Sequence, residues 1–239
     1  MLTCDSLFDG RLIVYQAKDG YRFSIDSVLL AGLTRVEADD RIMDLGAGCG
    51  VIPLILAHRG VGAHCVGVEI QPELAALARK NVAANGFAPR IEIHELDFRE
   101  VQNHFPAASF DLVISNPPYR RLQSGRINPN PERALARHEL AGSIEHVFAA
   151  GKFLLPYGGR LAVIYPAARL DHLLHAARRA GFSPKALVVI YSAPSSSAKL
   201  VHLESRKGGG DELRVEPPFF IYREDGSYSE QMRSLYEPR

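Results

Sequence analysis

Short apolar runs alternate with segments of helical spacing along most of the chain. The runs predict buried strands, and apolar residues at intervals of three and four predict helices. The strands predicted in this way are 41–45, 64–69, 90–95, 110–115, 159–165 and 184–192. The helices between them are 51–57, 72–84, 142–155 and 168–180. This alternation is typical of an α/β protein with a doubly wound, Rossmann-like and mostly parallel sheet.

The N-terminal region departs from this alternation. Residues 11–25 predict a small hairpin that turns at the Asp-Gly pair 19–20. A helix is predicted to begin near Asp26, because apolar residues with helical spacing follow it and because Asp26 and Ser27 are residue types that cap helices. We therefore expect residues 1–38 to form a hairpin and a helix in front of the first sheet strand.

The C-terminal region lacks the alternating helices. Strands are predicted near 199–204 and 217–222, and no helix is predicted between them. We therefore expect a seven-stranded sheet that carries an antiparallel strand at its edge. The chain is predicted to be a single domain, 1–239, made of the N-terminal hairpin and helix (1–38), a core (39–192) and C-terminal edge strands with a tail (193–239).

Composition excludes several classes of protein. With 46% hydrophobic and 23% charged residues in 239, the chain is neither a disordered tail nor a fibre. The 28 Lys and Arg against 27 Asp and Glu exclude a strongly basic coat, so any basic patch is local. Cys4, Cys49 and Cys65 form no CxxC motif and the histidines show no ligand spacing, so we expect a reducing compartment and no metal. Because no signal peptide or membrane span is predicted, we expect a cytoplasmic protein.

A glycine-rich segment joins the strand 41–45 to the next helix. Residues 44–50, here called the glycine turn, have the sequence Asp-Leu-Gly-Ala-Gly-Cys-Gly. Glycine lets the backbone turn sharply and lets a ligand contact the main chain. NAD is disfavoured, because Val51 stands where the dinucleotide fingerprint requires glycine. The turn resembles that of class I S-adenosylmethionine-dependent methyltransferases, although a purely structural turn is the alternative. The resemblance assigns the following residues to the cofactor: Asp44, Gly46, Ala47, Gly48 and Gly50.

Two acidic residues follow the next two strands. Glu69 ends the strand 64–69, where a carboxylate can accept hydrogen bonds from both hydroxyls of a ribose. Asp97 follows the strand 90–95 and can accept from an adenine amino group, with Phe98 available to pack on the ring. Either acid alone could be a solvated loop residue or a helix cap. Together with Ile70, they predict a nucleoside site at the carboxyl ends of consecutive strands.

The motif Asn116-Pro117-Pro118-Tyr119 follows the strand 110–115 directly. Two prolines fix φ and remove two N–H donors, so this stub is rigid and presents carbonyl groups. A planar amine needs two acceptors for its hydrogens and an aromatic face, and the Asn116 amide oxygen, the Pro117 carbonyl and Tyr119 provide that set. We therefore predict that these four residues are catalytic and that the substrate is adenine N6 or a glutamine amide; a proline pair that only stiffens the loop is the alternative. Asn116 also belongs to the predicted cofactor site.

Further segments of the chain resemble one family of bacterial enzymes, the tRNA1(Val) adenine-N6 methyltransferases. They are 20–27, with the sequence Gly-Tyr-Arg-Phe-Ser-Ile-Asp-Ser, together with 136–139, 206–209 and 222–228. The resemblance covers nearly the whole chain. It implies S-adenosylmethionine as cofactor, tRNA as partner and the adenosine 3′ of the valine anticodon as target. It also implies that Phe23, Ser24 and Asp26 close over the methionine end of the cofactor.

An arginine-rich segment follows the Asn-Pro-Pro-Tyr motif. Residues 120–137 carry five arginines against the single acid Glu132, a composition suited to phosphates and bases of RNA. The predicted RNA-binding residues are Arg120, Arg121, Arg126, Arg133 and Arg137. A solvated loop is the alternative, since charge runs usually face water. For His138 and Glu139 we favour a capping role over a substrate contact.

Several other functions stay open at this point. A glutamine-amide methyltransferase of release factors would share the Asn-Pro-Pro-Tyr motif, but such enzymes usually carry an additional N-terminal helical domain. A DNA adenine methyltransferase is disfavoured because no separate recognition domain is predicted. A non-catalytic RNA-binding module with this fold is a third alternative. The oligomeric state is undetermined, with a monomer slightly favoured.

Overall fold

The predicted alternation of strands and helices forms one large sheet with helices packed on it. The structure is a computed structural model that describes residues 2–18, 23–62, 64–117 and 142–237. Its strands are β1 (Leu2–Leu7), β2 (Leu12–Ala17), β3 (Arg41–Leu45), β4 (His64–Glu69), β5 (Ile91–Glu95), β6 (Leu112–Ser115), β7 (Arg160–Pro166), β8 (Phe182–Tyr191), β9 (Ala198–Lys207), β10 (Arg214–Val215) and β11 (Phe219–Phe220). Its helices are α1 (Ile25–Leu33), α2 (Val51–His58), α3 (Pro72–Ala84), α4 (Ile144–Leu154), α5 (Leu170–Arg179) and α6 (Glu230–Ser234), with 3₁₀ turns at Phe98–Asn103 and Ala167–Arg169.

The main sheet has nine strands, in the order β10-β8-β9-β7-β6-β3-β4-β5, and β11 also pairs with β8. All neighbouring pairs are parallel except those of β9, which is antiparallel to both β7 and β8. The predicted Rossmann-like, mostly parallel sheet is therefore confirmed, but the predicted number of seven strands is wrong, because the short strands β10 and β11 add to the sheet beside β8.

The position predicted for the antiparallel strand is wrong. We expected it at the sheet edge, but β9 lies between β7 and β8, and two short parallel strands, β10 and β11, pair with β8 beyond it. The run Val201-His202-Leu203 is buried at every residue, which is the burial expected of an interior strand. The division of the chain into three parts stays a prediction, although β9 in the third part is not an edge strand.

The N-terminal hairpin also differs from the prediction. β2 pairs with β1, from Leu2 opposite Ala17 to Leu7 opposite Leu12. Of the predicted partner segment 21–25, the described residues 23–25 are not in a strand. Residues 19–22 lie outside the described residues, and Ser24 is the N-cap of α1, so the cap lies before Asp26 and Ser27. β1 was missed because its burial alternates only between exposed and half-buried positions, which leaves a weak apolar pattern.

Apolar residues pack in two layers against the sheet. The first includes residues of α1, α2 and α3, such as Leu29 and Leu54, and the second includes residues of α4 and α5, such as Phe148 and Leu173. Within the described parts of the chain, no helix is both long and apolar enough to cross a membrane. Because the core strands are parallel, the carboxyl ends of β3, β4, β5 and β6 lie at one edge of the sheet, here called the carboxyl edge.

Candidate functional site

The glycine turn is a tight loop held by the neighbouring strand. The backbone N–H groups of Gly46 and Ala47 both donate to the carbonyl of Val68 at 2.9 Å. Gly46, Gly48 and Gly50 have φ of +80°, +57° and +84°, a backbone conformation that residues with a side chain rarely adopt. The turn therefore requires glycine at these positions, and it brings main-chain atoms to the carboxyl edge just before α2 begins.

Close packing beneath the glycine turn explains why Ala78 of α3 and Gly67 of β4 are small residues. A Cβ atom on Gly50 would lie 3.1 Å from the Cβ of Ala78, so α3 approaches the turn closely. A Cβ on Gly67 would lie 2.9 Å from the Cβ of Ala47 and 2.8 Å from Ile93. Gly67 is not among the predicted site residues, although a glycine inside an apolar strand signals close approach of another chain segment.

Asp44 lies at the base of the turn, fully buried. Neither of its carboxyl oxygens has a hydrogen-bond partner within the described part of the chain. Burial, and secondarily the charge of Glu69, raises the pKa of Asp44 to about 8. A buried polar group without a partner is costly, so Asp44 is a group whose hydrogen-bonding capacity a ligand can satisfy.

Glu69 is buried as well, but its carboxylate is held firmly. One oxygen accepts from the N–H of Gly48 and the other from the N–H of Gln71, both at 2.9 Å. Burial raises the pKa of Glu69, and these amide bonds act in the opposite direction. Hydrogen bonds from the Ile70 N–H and the Gln71 side chain also lower the pKa of this carboxylate, and acceptance of hydrogen bonds from a diol stays a prediction.

Asp97 is oriented by a neighbour that sequence analysis missed. Its carboxylate accepts from the backbone N–H of Arg99 at 2.9 Å and from the guanidinium Nε at 2.7 Å. Burial acts to raise the pKa of Asp97, but the hydrogen bonds and charge of Arg99 outweigh it and hold the pKa below its usual value. Phe98 is only 7% exposed and packs against Gly142. Contacts of Asp97 and Phe98 with an adenine stay predictions.

The N-terminal hairpin is fastened to the site by two asparagines, Asn81 of α3 and Asn85 at its C-cap. The side chain of Asn81 accepts from the N–H of Tyr15 at 2.8 Å and donates to its carbonyl at 3.1 Å, and Asn85 does the same for Ile13 at 2.8 and 2.7 Å. Asn81 and Asn85 are four helical residues apart, a rise of about 6 Å, and their partners Tyr15 and Ile13 are two strand residues apart, about 6.6 Å. The two asparagines therefore have the spacing of the two strand residues that they bind. Asn81 also donates to the carbonyl of Cys49 in the glycine turn at 2.9 Å.

The hairpin in turn positions the start of the predicted cofactor-closing segment. Gln16, at the end of β2, is 1% exposed, and its side-chain oxygen accepts from the N–H of Phe23 at 2.8 Å. Phe23 leads to Ser24, the N-cap of α1, and to Asp26 in its first turn. Hydrogen bonds therefore connect the glycine turn, Asn81, the hairpin and Phe23. Roles of Phe23, Ser24 and Asp26 in cofactor binding stay predictions.

Comparing the two asparagines tests this connection. Asn81→Ala and Asn85→Ala each remove two hydrogen bonds to the hairpin and should lower the free energy of unfolding by about 1–3 kcal/mol. Only Asn81→Ala also frees the glycine turn, so it should weaken S-adenosylmethionine binding about tenfold, as measured by calorimetry. Equal cofactor affinities in the two variants would show that Asn81 supports only the fold.

Asn116 lies beside the glycine turn. Its predecessor Ser115 is opposite Leu45 in the pairing of β6 with β3, and the Ser115 hydroxyl donates to the Leu45 carbonyl at 2.8 Å. The next residues, Asn116 and Gly46, therefore leave adjacent strands at the same edge. Asn116 is half-buried and Pro117 is buried. The other predicted catalytic residues, Pro118 and Tyr119, lie outside the described residues, as do His138 and Glu139. The predicted RNA-binding residues lie outside them as well: Arg120, Arg121, Arg126, Arg133 and Arg137.

A large cleft occurs elsewhere. It has a volume of about 1000 Å³ and is lined by residues at the amino ends of the strands, including Asp111, Arg160 and Lys185. It lies at the sheet edge opposite to Glu69 and Asn116, and its lining carries five basic and five acidic residues. It is therefore separate from the candidate site. Among the described residues, no group of three or more His, Cys, Asp or Glu side chains could hold a metal ion.

The structure brings most of the predicted cofactor residues to one edge. The strands β3, β4 and β6 and the segment after β5 contribute them: Asp44, Gly46, Ala47, Gly48, Gly50, Glu69, Ile70, Asp97 and Asn116. The strand order, with β9 inserted antiparallel between β7 and β8, and the acids behind neighbouring parallel strands define the class. It is the Rossmann-like fold of class I methyltransferases.

Comparisons with known proteins give the family. The family model described as methyltransferase small domain matches residues 22–164. The chain is 34% identical over 91% of its length to a Porphyromonas gingivalis protein named tRNA1(Val) (adenine(37)-N6)-methyltransferase, covering 88% of that protein. An Aeromonas hydrophila protein of the same name is 30% identical over 89% of the chain and 87% of its own length. The chain belongs to the methyltransferase small domain family and, within it, to the tRNA1(Val) (adenine(37)-N6)-methyltransferase family.

A solved structure shows the same fold. It is described as a predicted O-methyltransferase from Agrobacterium tumefaciens, and it superposes with a TM-score of 0.73 over 88% of this chain and 95% of its own. The two sequences are 24% identical, so this likeness concerns the fold.

Proposed function

We propose that this enzyme transfers a methyl group from S-adenosylmethionine to N6 of an adenine in tRNA. Its relatives are named for adenine 37 of tRNA1(Val), and we propose the same target, the adenosine 3′ of the anticodon of a valine tRNA. The observation that carries the proposal is the position of Asn116, which leaves β6 directly beside the glycine turn. An amine held there would meet a cofactor held by the turn. We propose the cytoplasm as the location.

The residues of the carboxyl edge fit this cofactor. Glu69 would accept from the ribose hydroxyls, and Asp97, both of whose carboxyl oxygens accept from Arg99, would also accept from the adenine amino group. Asp44 is a buried acid without a partner in the described chain, suited to a cationic ligand. S-adenosylmethionine supplies an electrophilic methyl group when bound. Phe23, Ser24 and Asp26 would cover its methionine end.

The Asn-Pro-Pro-Tyr motif would then activate the amine. The Asn116 amide oxygen and the Pro117 carbonyl accept the two amino hydrogens, while Tyr119 lies on the base. Because the adenine nitrogen lone pair is delocalised into the ring, acceptors that favour tetrahedral geometry at nitrogen stabilise the transition state. No strong general base is needed, since the amino proton can leave after the new C–N bond has formed.

The target base must leave its stack to reach Asn116. We propose that the arginine-rich segment 120–137 holds the RNA nearby through phosphate contacts.

Methyl transfer to tRNA tests this function. The purified protein should transfer tritiated methyl from S-adenosylmethionine to total tRNA from a strain that lacks the gene. Nucleoside mass spectrometry should then show N6-methyladenosine, and mapping should place it next to the anticodon of a valine tRNA. Label in a release-factor glutamine, with none in tRNA, would keep the fold and the cofactor and overturn the substrate.

A further inference from the structure

Three tyrosines near the C-terminus form a stack, here called the tyrosine stack: Tyr222, Tyr228 and Tyr236. The rings of Tyr222 and Tyr228 are 5.4 Å apart and 15° from parallel, and those of Tyr228 and Tyr236 are 6.2 Å apart and 21° from parallel. Tyr236 also packs on Phe8 of the N-terminal hairpin. Sequence analysis singled out 222–228 as a family segment, and the proposed reaction gives this segment no role.

A well-defined turn builds the stack. Tyr222 and Tyr228 face each other in an antiparallel bridge, closed by the N–H of Arg223 donating to the carbonyl of Ser227 at 2.8 Å. The Asp225 carboxylate accepts from both the N–H and the hydroxyl of Ser227, and Gly226 has a φ of +79°. The hydrogen bonds of this turn therefore fix the positions of the Tyr222 and Tyr228 rings.

The two ends of the stack differ. Tyr236, at the inner end, is half-buried, and burial and the neighbouring Tyr228 and Tyr222 raise its pKa to about 12. Tyr222 is 36% exposed and Tyr228 is 40% exposed. Within the described part of the chain, no ring packs on the outer side of Tyr222. Tyr222 therefore ends the stack and is partly exposed.

The open end lies at the same sheet edge as the candidate site. β11 runs parallel to β8, and the N–H of Tyr222 donates to the carbonyl of Ser192, just beyond the carboxyl end of β8. Four strand spacings separate β11 from β6, which is roughly 19 Å. A short single-stranded segment of nucleic acid covers such a distance.

We propose that Tyr222 is a stacking platform for an unpaired base of the RNA substrate, near the base that enters beside Asn116. This inference rests on the proposed function, because it requires an RNA substrate. Aromatic rings bind unpaired bases through their faces, and each such contact is worth a substantial part of the affinity. The turn itself carries Arg223 against Glu224 and Asp225, so attraction of phosphates contributes little and stacking supplies the contact.

Binding of fluorescently labelled tRNA to variants of the full chain tests the proposal. Tyr222→Leu keeps apolar volume but removes the ring, and it should weaken tRNA binding about tenfold. Tyr222→Trp should bind like the wild type. The dependence on salt should be unchanged in both, because no charge is removed. Tyr157→Leu is the matched control: Tyr157 is 82% exposed and lies at the opposite edge, so its loss should have no effect.

The outcomes separate the two proposals. Unchanged tRNA affinity in Tyr222→Leu, or equal losses in the Leu and Trp variants with unaltered thermal unfolding, overturns the stacking role. If Tyr222→Leu lowers the affinity for S-adenosylmethionine together with the affinity for tRNA, the stacking role is also overturned. If the wild type binds tRNA through Tyr222 but transfers no methyl group to it, the proposed reaction fails and the stacking role stands. If the wild type binds no RNA, both proposals fail.

Discussion

Replacing Asn116 with alanine should lower methyl transfer to tRNA by about 10² to 10³-fold and leave the affinity for S-adenosylmethionine nearly unchanged. The side-chain oxygen of Asn116 is proposed to accept a hydrogen bond that strengthens as the amine nitrogen becomes tetrahedral. Removing a preorganised group that acts mainly in the transition state reduces kcat far more than binding. Single-turnover rates at saturating tRNA, with cofactor affinity measured by calorimetry, provide the comparison.

A second asparagine provides the control for this variant. Asn103 is exposed on the 3₁₀ turn after β5, so Asn103→Ala should retain full activity. Asn116→Ala could instead lose cofactor binding while the enzyme that still holds cofactor reacts at the normal rate. The Asn-Pro-Pro-Tyr motif would then have a structural role in supporting the glycine turn. The register of β6 with β3 makes that a meaningful alternative, because Ser115 is bonded to Leu45 next to the turn.

Asp44 should give the protein without cofactor an unusual dependence of stability on pH. Its pKa is about 8 in the folded protein and near 3.8 when exposed, so between these values the folded state keeps a proton that the unfolded state loses. The free energy of unfolding therefore falls as pH rises from about 4 to about 8, by about 1.4 kcal/mol for each pH unit. Asp44→Asn removes this contribution, so its stability relative to the wild type should rise with pH.

Chemical unfolding of both proteins at pH 5, 6, 7 and 8 measures the effect as a slope. The difference between them contains a constant offset, because the asparagine amide also loses hydrogen bonds on burial. Its pH dependence comes from Asp44 and from the coupling of Asp44 to Glu69. A difference that does not change with pH would mean that Asp44 is ionised throughout this range.

Cofactor binding should shift the protonation equilibrium of Asp44. A cationic ligand near Asp44 favours the carboxylate, so the affinity of the wild type for S-adenosylmethionine should increase from pH 6 to pH 8 with release of a proton. The Asp44→Asn variant should bind more weakly and show no such increase. Calorimetry in buffers of different ionisation enthalpy detects the proton directly, and equal proton release in both proteins would exclude Asp44 as its source.

Individual elements of the core could be predicted from local sequence. β4 and α3 coincide with the predicted 64–69 and 72–84, because a short apolar run and a helical spacing closed by Asn-Gly are local signals. Partners of strands were predicted less well. β2 pairs with β1, and β9 enters the sheet between β7 and β8. Pairing depends on which strand edges remain uncovered after the chain folds, and a local pattern does not contain that information.

The sequence by itself determined the candidate chemical groups: a glycine turn, acids behind two strands and an Asn-Pro-Pro-Tyr motif. These assignments rest on residue types and on the rule that parallel strands end at one edge. Only the tertiary structure decided that Asp44 is buried without a partner in the described chain, that Asn81 joins the hairpin to Cys49, and that Tyr222 ends a stack. Burial and contacts between distant residues arise from packing, so they change pKa values and positions in ways that neighbours along the chain do not reveal.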